Sequence, residues 1–321
     1  MSRERAGLRI LVTGAAGFLG ANLVRRLLHD GAEVHALVRP GGDTTRIAAI
    51  RDRCHIHEGD LLVRRSARRA LASLELDVVC HLAAFPATPA QPVPVRRSVH
   101  AEVTMALNLF DALPRVGWQR MVGVTTSYEY GPKNRPHRES DPVAPANARG
   151  LSRAVSSLVL ESLVRQAGCD FVRLRLFSVY GPWQQESRLV PQAIRAALTG
   201  QPLPLTVQPT FRDLVFVDDV TDAIARALVE SRAANQTLNV GSGQMRTNYA
   251  VVREIERLTG RRLPPTAKTH RFTEADCGPW VADIAKARRI LGWRPRHSLR
   301  QGLRITLDWF RQQQRGGGGH A

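Results

Sequence analysis

The chain has 321 residues, room for one large α/β domain or for such a domain with a smaller lobe. Hydrophobic residues make up 43% and charged residues 23%, which excludes wholesale disorder, and no apolar run approaches the roughly 20 residues of a membrane span. The net charge is +18, yet lysine occurs only at Lys133, Lys268 and Lys286 and the arginines are scattered, so the excess reads as solvated surface or a cleft for anionic substrates, not as a nucleic-acid tract.

The opening MSRERAGLRILVTG passes straight into a strand-like run without the apolar core and cleavage site of a signal peptide, so a cytoplasmic location is expected. Cys54, Cys80, Cys169 and Cys277 lack metal-ligand spacing; free thiols and no metal site are expected.

A strand at 9–12 is followed by TGAAGFLGANLVRRLLHDG, which sets Gly14, Gly17 and Gly20 between strand and helix. Glycines there allow a tight turn and a close backbone approach to a pyrophosphate, with Phe18 and Leu19 opening a helix whose N-terminus carries partial positive charge. The spacing is Gly-x-x-Gly-x-x-Gly, a variant of the dinucleotide fingerprint. The second strand, 33–38, ends in Val38 and Arg39, with no acid before Asp43. An acid would bind both ribose hydroxyls of NAD, whereas Arg39, joined by Arg46, suits the extra phosphate of NADP. NADP is therefore preferred over NAD, with an exposed bystander as the other reading of Arg39.

A strand at 54–58 leads to GDL, where Asp60 either accepts from an adenine amino group, beside Leu61, or caps the helix that follows. A strand at 78–82 ends in HLAA, and the small Ala83 and Ala84 after Leu82 let a cofactor lie close. Helical patterns at 103–117 and 152–168 alternate with strands at 121–125 and 171–176. This rhythm predicts an α/β fold: a Rossmann-like, doubly wound parallel sheet with a smaller interleaved substrate lobe. The expected division is a dinucleotide-binding domain of residues 1–176 completed by 211–241, a lobe of 177–210 and 242–314, and a flexible tail at 315–321.

With TGAAGFLG, GDL, HLAA, TTSYEYG, RLRLFSVYGP, RDLVFVDDV, LNVGSG and LGWRP together, the chain resembles the extended short-chain dehydrogenase/reductase family, of the NAD(P)-dependent nucleotide-sugar epimerase/dehydratase type. The resemblance spans nearly the whole length. It implies a nucleotide-diphosphate sugar substrate, a homodimer, and three groups around the nicotinamide: a Ser or Thr on the reacting oxygen, a Tyr that moves its proton and a Lys that holds the ribose. Thr126 fits the first role. The other two positions hold Arg149 and Arg153, in RGLSR where the family has Tyr-Gly-x-Ser-Lys.

A guanidinium with a pKa above about 12 does not exchange protons near neutrality, so Arg149 cannot replace a tyrosinate, whereas Arg153 could still donate to ribose hydroxyls. Tyr128 is the candidate replacement proton relay, with a packed aromatic lid as its other reading. Glu129 and Tyr130 are expected to alternate in direction, Tyr130 as a structural residue. By the resemblance Arg212 faces the substrate diphosphate and Ser178 contacts the same ligand, while Asp218 and Asp219 support a helix start. The expected function is NAD(P)-dependent epimerisation or keto-sugar reduction in an atypical site. A cofactor-binding sensor or scaffold without turnover, or a non-redox enzyme on the same fold, is the alternative.

Overall fold

Ile10 and Val12 turn to one face of strand β1 (Arg9–Thr13) and Leu11 to the other, and all three are fully buried. A strand apolar on both sides must lie inside a sheet covered on both faces. The structure is a computed structural model that describes residues 5–85, 93–206, 208–263, 265–266 and 280–317. After β1 come α1 (Phe18–His29), β2 (Glu33–Val38), β3 (His55–Glu58), α2 (Arg64–Leu71), β4 (Val78–His81), α3 (Val95–Ala112), β5 (Arg120–Thr126), α4 (Ala148–Gln166) and β6 (Asp170–Leu176). The chain continues through β7 (Ser178–Tyr180), α5 (Leu189–Thr199), β8 (Leu203–Pro204), β9 (Phe211–Phe216), α6 (Val217–Ala227) and β10 (Thr237–Val240). It closes with β11 (Met245–Thr247), α7 (Asn248–Thr259), β12 (Pro265–Thr266), α8 (Ala285–Leu291) and α9 (Leu299–Gly317).

Seven parallel strands form the main sheet in the order β10-β6-β5-β4-β1-β2-β3. The order reverses at β1, which has β2 on one side and β4 on the other, and a crevice opens there at the C-terminal strand ends. Ile10, Val12, Cys80 and Val122 pack with Leu23, Val24 and Leu27 of α1 and Ala223 and Ile224 of α6. Leu11, Val79, Met121 and Phe171 pack on the other face with Leu71 of α2, Met105 and Leu109 of α3 and Leu160 of α4. The expected doubly wound Rossmann-like fold is present.

Several details differ from expectation. Strand β9 does not complete the large sheet; it pairs with β7 and β11 in a separate three-stranded sheet, so the chain returns through α6 and β10 alone. Helix α3 starts before 103 and stops at Ala112, because Pro114 cannot continue it. Helix α9 carries no flag in the sequence reading, although Leu303, Leu307 and Phe310 form its buried stripe, and it runs on to Gly317 through part of the expected tail. Residues 318–321 lie outside the described residues. The lobe core joins Tyr180, Ile194, Phe216, Val251 and Ile255 to that stripe. Among the described residues Cys54, Cys80 and Cys169 are free, Cys277 lies outside them, and no helix is long and apolar enough to cross a membrane.

Between sheet and lobe lies a buried aromatic cluster. Tyr130 is fully buried, donates to Asn239 Oδ1 (2.8 Å) and stacks on His137 with ring centroids 5.0 Å apart. His137 also stacks on Trp280, and neither of its ring nitrogens meets a hydrogen-bond partner among the described residues. Burial pushes His137 down from 6.5 to about 4, and burial followed by the Arg153 charge pushes His81 down to about 3. Between pH 6.5 and 4 the unfolded chain therefore takes up protons that the fold refuses, so stability is full above pH 6.5 and falls on acidification. For His137 the loss reaches about 3 kcal/mol. Urea titrations at pH 7 and pH 4.5 should show a lower midpoint at the acid pH. His137→Phe keeps the stack and should narrow that difference with little change at pH 7; an unchanged difference would clear His137 of the effect.

Candidate functional site

At the end of β1 the backbone turns at Gly14, whose φ is +68°. A Cβ at Gly14 would stand 2.8 Å from Ala83 N, and one at Gly20 would stand 2.1 Å from Gly14 O, so neither position admits a side chain. Gly17 is the N-cap of α1 and supplies no side-chain cap, leaving the first helical N–H groups facing the crevice. Thr13 fastens the opposite wall. Its Oγ1 accepts from Leu82 N (3.2 Å) and Ala83 N (3.1 Å) and lies 2.8 Å from His81 Nδ1. Both lone pairs are thus taken, so the hydroxyl proton goes to His81 Nδ1, and the imidazole carries its own proton on Nε2. The cradle fits a pyrophosphate: backbone donors on one side, the 82–83 wall on the other, and no side chain between.

Arg153 corrects the expectation of a ribose ligand. It is buried, and its guanidinium donates from Nη1 to Ala83 O (3.1 Å) and Glu102 Oε2 (3.1 Å) and from Nη2 to Val124 O. The other Glu102 oxygen accepts from Phe85 N (2.9 Å). A buried charge needs this pairing, and the pairing turns the side chain inward, against α3 and the 83–85 loop. Ser98 Oγ of α3 and Ser152 Oγ of α4, 3.0 Å apart, pin the same two helices.

Thr126 ends β5, buried, and its Oγ1 accepts from Tyr128 N (3.3 Å) in the 3-10 turn Ser127–Glu129. That turn removes the expected alternation, and Glu129 and Tyr130 are both fully buried, Glu129 against Arg175 Nε (2.7 Å). Tyr128 is half-buried, its ring edge on Trp280 with centroids 5.2 Å apart, and its hydroxyl has no hydrogen-bond partner among the described residues. A Cβ at Gly150 would fall 1.9 Å from Tyr128 O, so only glycine lets the first turn of α4 sit on this turn, with Arg149 beside the tyrosine. Arg149 keeps a solvent-open side, yet the surrounding protein and then the Arg188 charge push its guanidinium below the usual arginine value, against the pull of Tyr128.

The remaining candidates divide. Arg39 is exposed at the end of β2 and makes no ion pair or side-chain hydrogen bond among the described residues. Arg46 donates from Nε to Trp183 O (3.1 Å) and is already engaged. Asp60 Oδ1 accepts from Leu62 N (2.8 Å) and closes a turn; the N-cap of α2 is Val63, so the capping reading of Asp60 does not hold. Leu61 turns its side chain into the core, which corrects its placement in the cofactor site. Phe18 and Leu19 pack against the lobe core, and Ala84 is exposed on the crevice loop. Ser178 and Arg212 stand half-buried on the small sheet, Arg212 bonded to Phe211 O and opposite Arg246. Asp219 accepts from Arg296 N, His297 N and His297 Nδ1, a structural tie as expected.

Two residues escaped the sequence reading. Glu102 sits on the buried stripe of α3 with Ser98, Ala101, Met105 and Leu109, and an acid on an apolar stripe is a readable demand for a buried cation. Arg188, just before α5, carried no signal.

Comparison with known proteins places this geometry. Residues 10–241 match the model of the family described as NAD dependent epimerase/dehydratase. The chain is 26% identical to the UDP-glucose 4-epimerase of Lacticaseibacillus casei over 97% of this chain and 99% of that protein. It is 29% identical to the dTDP-glucose 4,6-dehydratase of Mycolicibacterium smegmatis, covering 95% and 93%. The UDP-glucose 4-epimerase of Thermotoga maritima, solved with UDP-glucose, superposes with a TM-score of 0.86 at 25% identity over 96% of this chain and 100% of that one.

The Arg153–Glu102 pair makes a sharp stability prediction. Glu102→Ala strands a buried guanidinium and should cost about 3–5 kcal/mol in urea unfolding, whereas Glu102→Leu with Arg153→Met should cost less. A double variant as unstable as the single one would contradict the pairing.

Proposed function

The chain belongs to the NAD dependent epimerase/dehydratase family, and from that premise we propose that it is an NAD(P)-dependent enzyme acting on the sugar of a nucleotide-diphosphate sugar. The reaction is epimerisation through a transient ketone or reduction of a keto sugar. The observation that carries this reading is the Gly14 cradle closed against Ala83 at the sheet's switch point, with the Thr126–Tyr128 turn at the end of the same sheet.

A nicotinamide dinucleotide, when bound, supplies the hydride acceptor or donor. The chain's residues supply the rest. The Thr126 hydroxyl, accepting from Tyr128 N, keeps its proton for the reacting sugar oxygen. The Tyr128 hydroxyl is unpaired among the described residues, free to meet the reacting sugar oxygen as a proton relay requires. Arg149 stays cationic and acts through charge. Arg153 acts as a positioning residue, holding Ala83 and Phe85. Arg212 and Ser178, on the lobe side, are assigned to the substrate diphosphate.

NADP is the preferred dinucleotide, because Arg39, unpaired among the described residues, stands where β2 ends. The competing reading, a cofactor-binding sensor without turnover, is favoured by the diversion of Arg153 away from the crevice. Supplying 4-keto and parent nucleotide sugars with NADPH or NAD separates the two: turnover supports the enzyme, and dinucleotide binding with no turnover across the panel supports the sensor. In an active enzyme Tyr128→Phe should lower kcat by about 100-fold or more while sugar binding persists; a retained rate removes Tyr128 from proton transfer. Arg39→Ala should weaken NADP binding by about ten-fold and leave NAD nearly unchanged. Equal losses for both would withdraw the NADP preference.

A further inference from the structure

Trp183 holds a backbone conformation that its side chain opposes. Its φ is +69°, and the other non-glycine residue with positive φ among the described residues is Asn235, of a type that tolerates the left-handed region. Gln184 N closes on Gly181 O (3.3 Å), which puts Pro182 second and Trp183 third in a β-turn. Positive φ at the third place calls for Gly or Asn. A tryptophan persists there when contacts outside the turn hold it.

Those contacts run from the lobe to the dinucleotide half. The turn joins β7 to α5, yet both of its central carbonyls accept from the other half: Pro182 O from Asn22 Nδ2 of α1 (3.1 Å), Trp183 O from Arg46 Nε (3.1 Å). The Trp183 ring meets Trp309 of α9 edge-on at 4.9 Å and carries the Arg25 guanidinium over its face, 5.0 Å from the centroid. Arg25 in turn donates from Nη2 to Arg46 O. The consequence falls on Arg46. Trp183 O takes one of its five N–H groups, and the Nη groups make no hydrogen bond among the described residues, with Asp43 Oδ2 4.0 Å from Nη1. Fixing Nε aims the planar fork, and a fork aimed in advance loses less freedom when it grips a phosphate.

We propose that Trp183 is a positioning residue for dinucleotide selectivity: its carbonyl fixes Arg46, so that Arg46 joins Arg39 on the extra phosphate of NADP and the preference for NADP is set partly from the sugar lobe. This rests on the NADP reading above. Arg39 supplies charge at the end of β2, and Arg46 supplies a fork whose direction the lobe determines.

Calorimetric titration of the full chain with NADP and with NAD reads selectivity as a ratio of affinities, without turnover. The wild type should favour NADP. Trp183→Gly and Trp183→Ala both remove the ring, but glycine alone keeps positive φ without strain. The glycine variant should hold the wild-type ratio within about two-fold, and the alanine variant should lower it about five-fold. Arg46→Gln should lower it about as much, and should add nothing to Trp183→Ala, because both changes break one contact. A wild type that binds NADP and NAD equally would remove the NADP reading and this proposal with it. Where the wild type favours NADP, an alanine variant with the full ratio, equal losses in the glycine and alanine variants, or additive losses in the double variant would each overturn the proposal and leave that reading standing. Arg46→Gln leaves the turn untouched and decides alone if the alanine variant does not fold: an unchanged ratio would overturn the proposal.

Discussion

A guanidinium withdrawn from water has to find a carboxylate, and in this molecule the constraint is met at Arg153 and Glu102. Much follows from it. The pair bolts α4 to α3, and its spare valences hold Ala83 O and Phe85 N, so the wall against which Gly14 turns is fixed from behind. It also occupies the side chain that the family pattern gives to the nicotinamide ribose. One helical turn earlier, Arg149 has no carboxylate partner among the described residues and keeps a solvent-exposed side.

The same principle accounts for how a chain of net charge +18 packs at all. Its buried arginines are neutralised pair by pair, often across long sequence separations: Arg5 with Asp30, Arg175 with Glu129, Arg153 with Glu102. What survives as uncompensated charge is therefore informative where it is concave and adjacent to reactive groups, and uninformative where it is spread over solvated helices. Tyr128 belongs to the first setting. Its hydroxyl is unpaired among the described residues, its ring is braced by Trp280, and its backbone is held by Thr126 and pressed by Gly150. Such a residue is rigid in its ring and free at its hydroxyl, which suits a group that must present one atom to a ligand.

The glycine turn was legible because its cause is local: a positive φ and a missing Cβ are properties of single residues. The strands were legible for the same reason, through runs apolar on both faces. The direction of Arg153 was not, since it depends on an acid 51 residues away that becomes a neighbour only when α3 and α4 lie side by side. Glu129 and Tyr130 were misjudged by assuming an extended segment, where Thr126 instead closes a turn. Strand β9 reads like any other apolar strand, and whether it joins the seven-stranded sheet or pairs with β7 and β11 is settled by which edges are open in space.

From the residues alone, then, came the class of fold, the crevice for a dinucleotide and the loss of a proton-exchanging side chain at position 149, because these follow from backbone freedom, periodicity and intrinsic pKa. Which cations are neutralised and which face the cleft belongs to the folded chain. Ion pairing is a contact between distant segments, and only the packing of α3 against α4 determines that Arg153 finds its carboxylate.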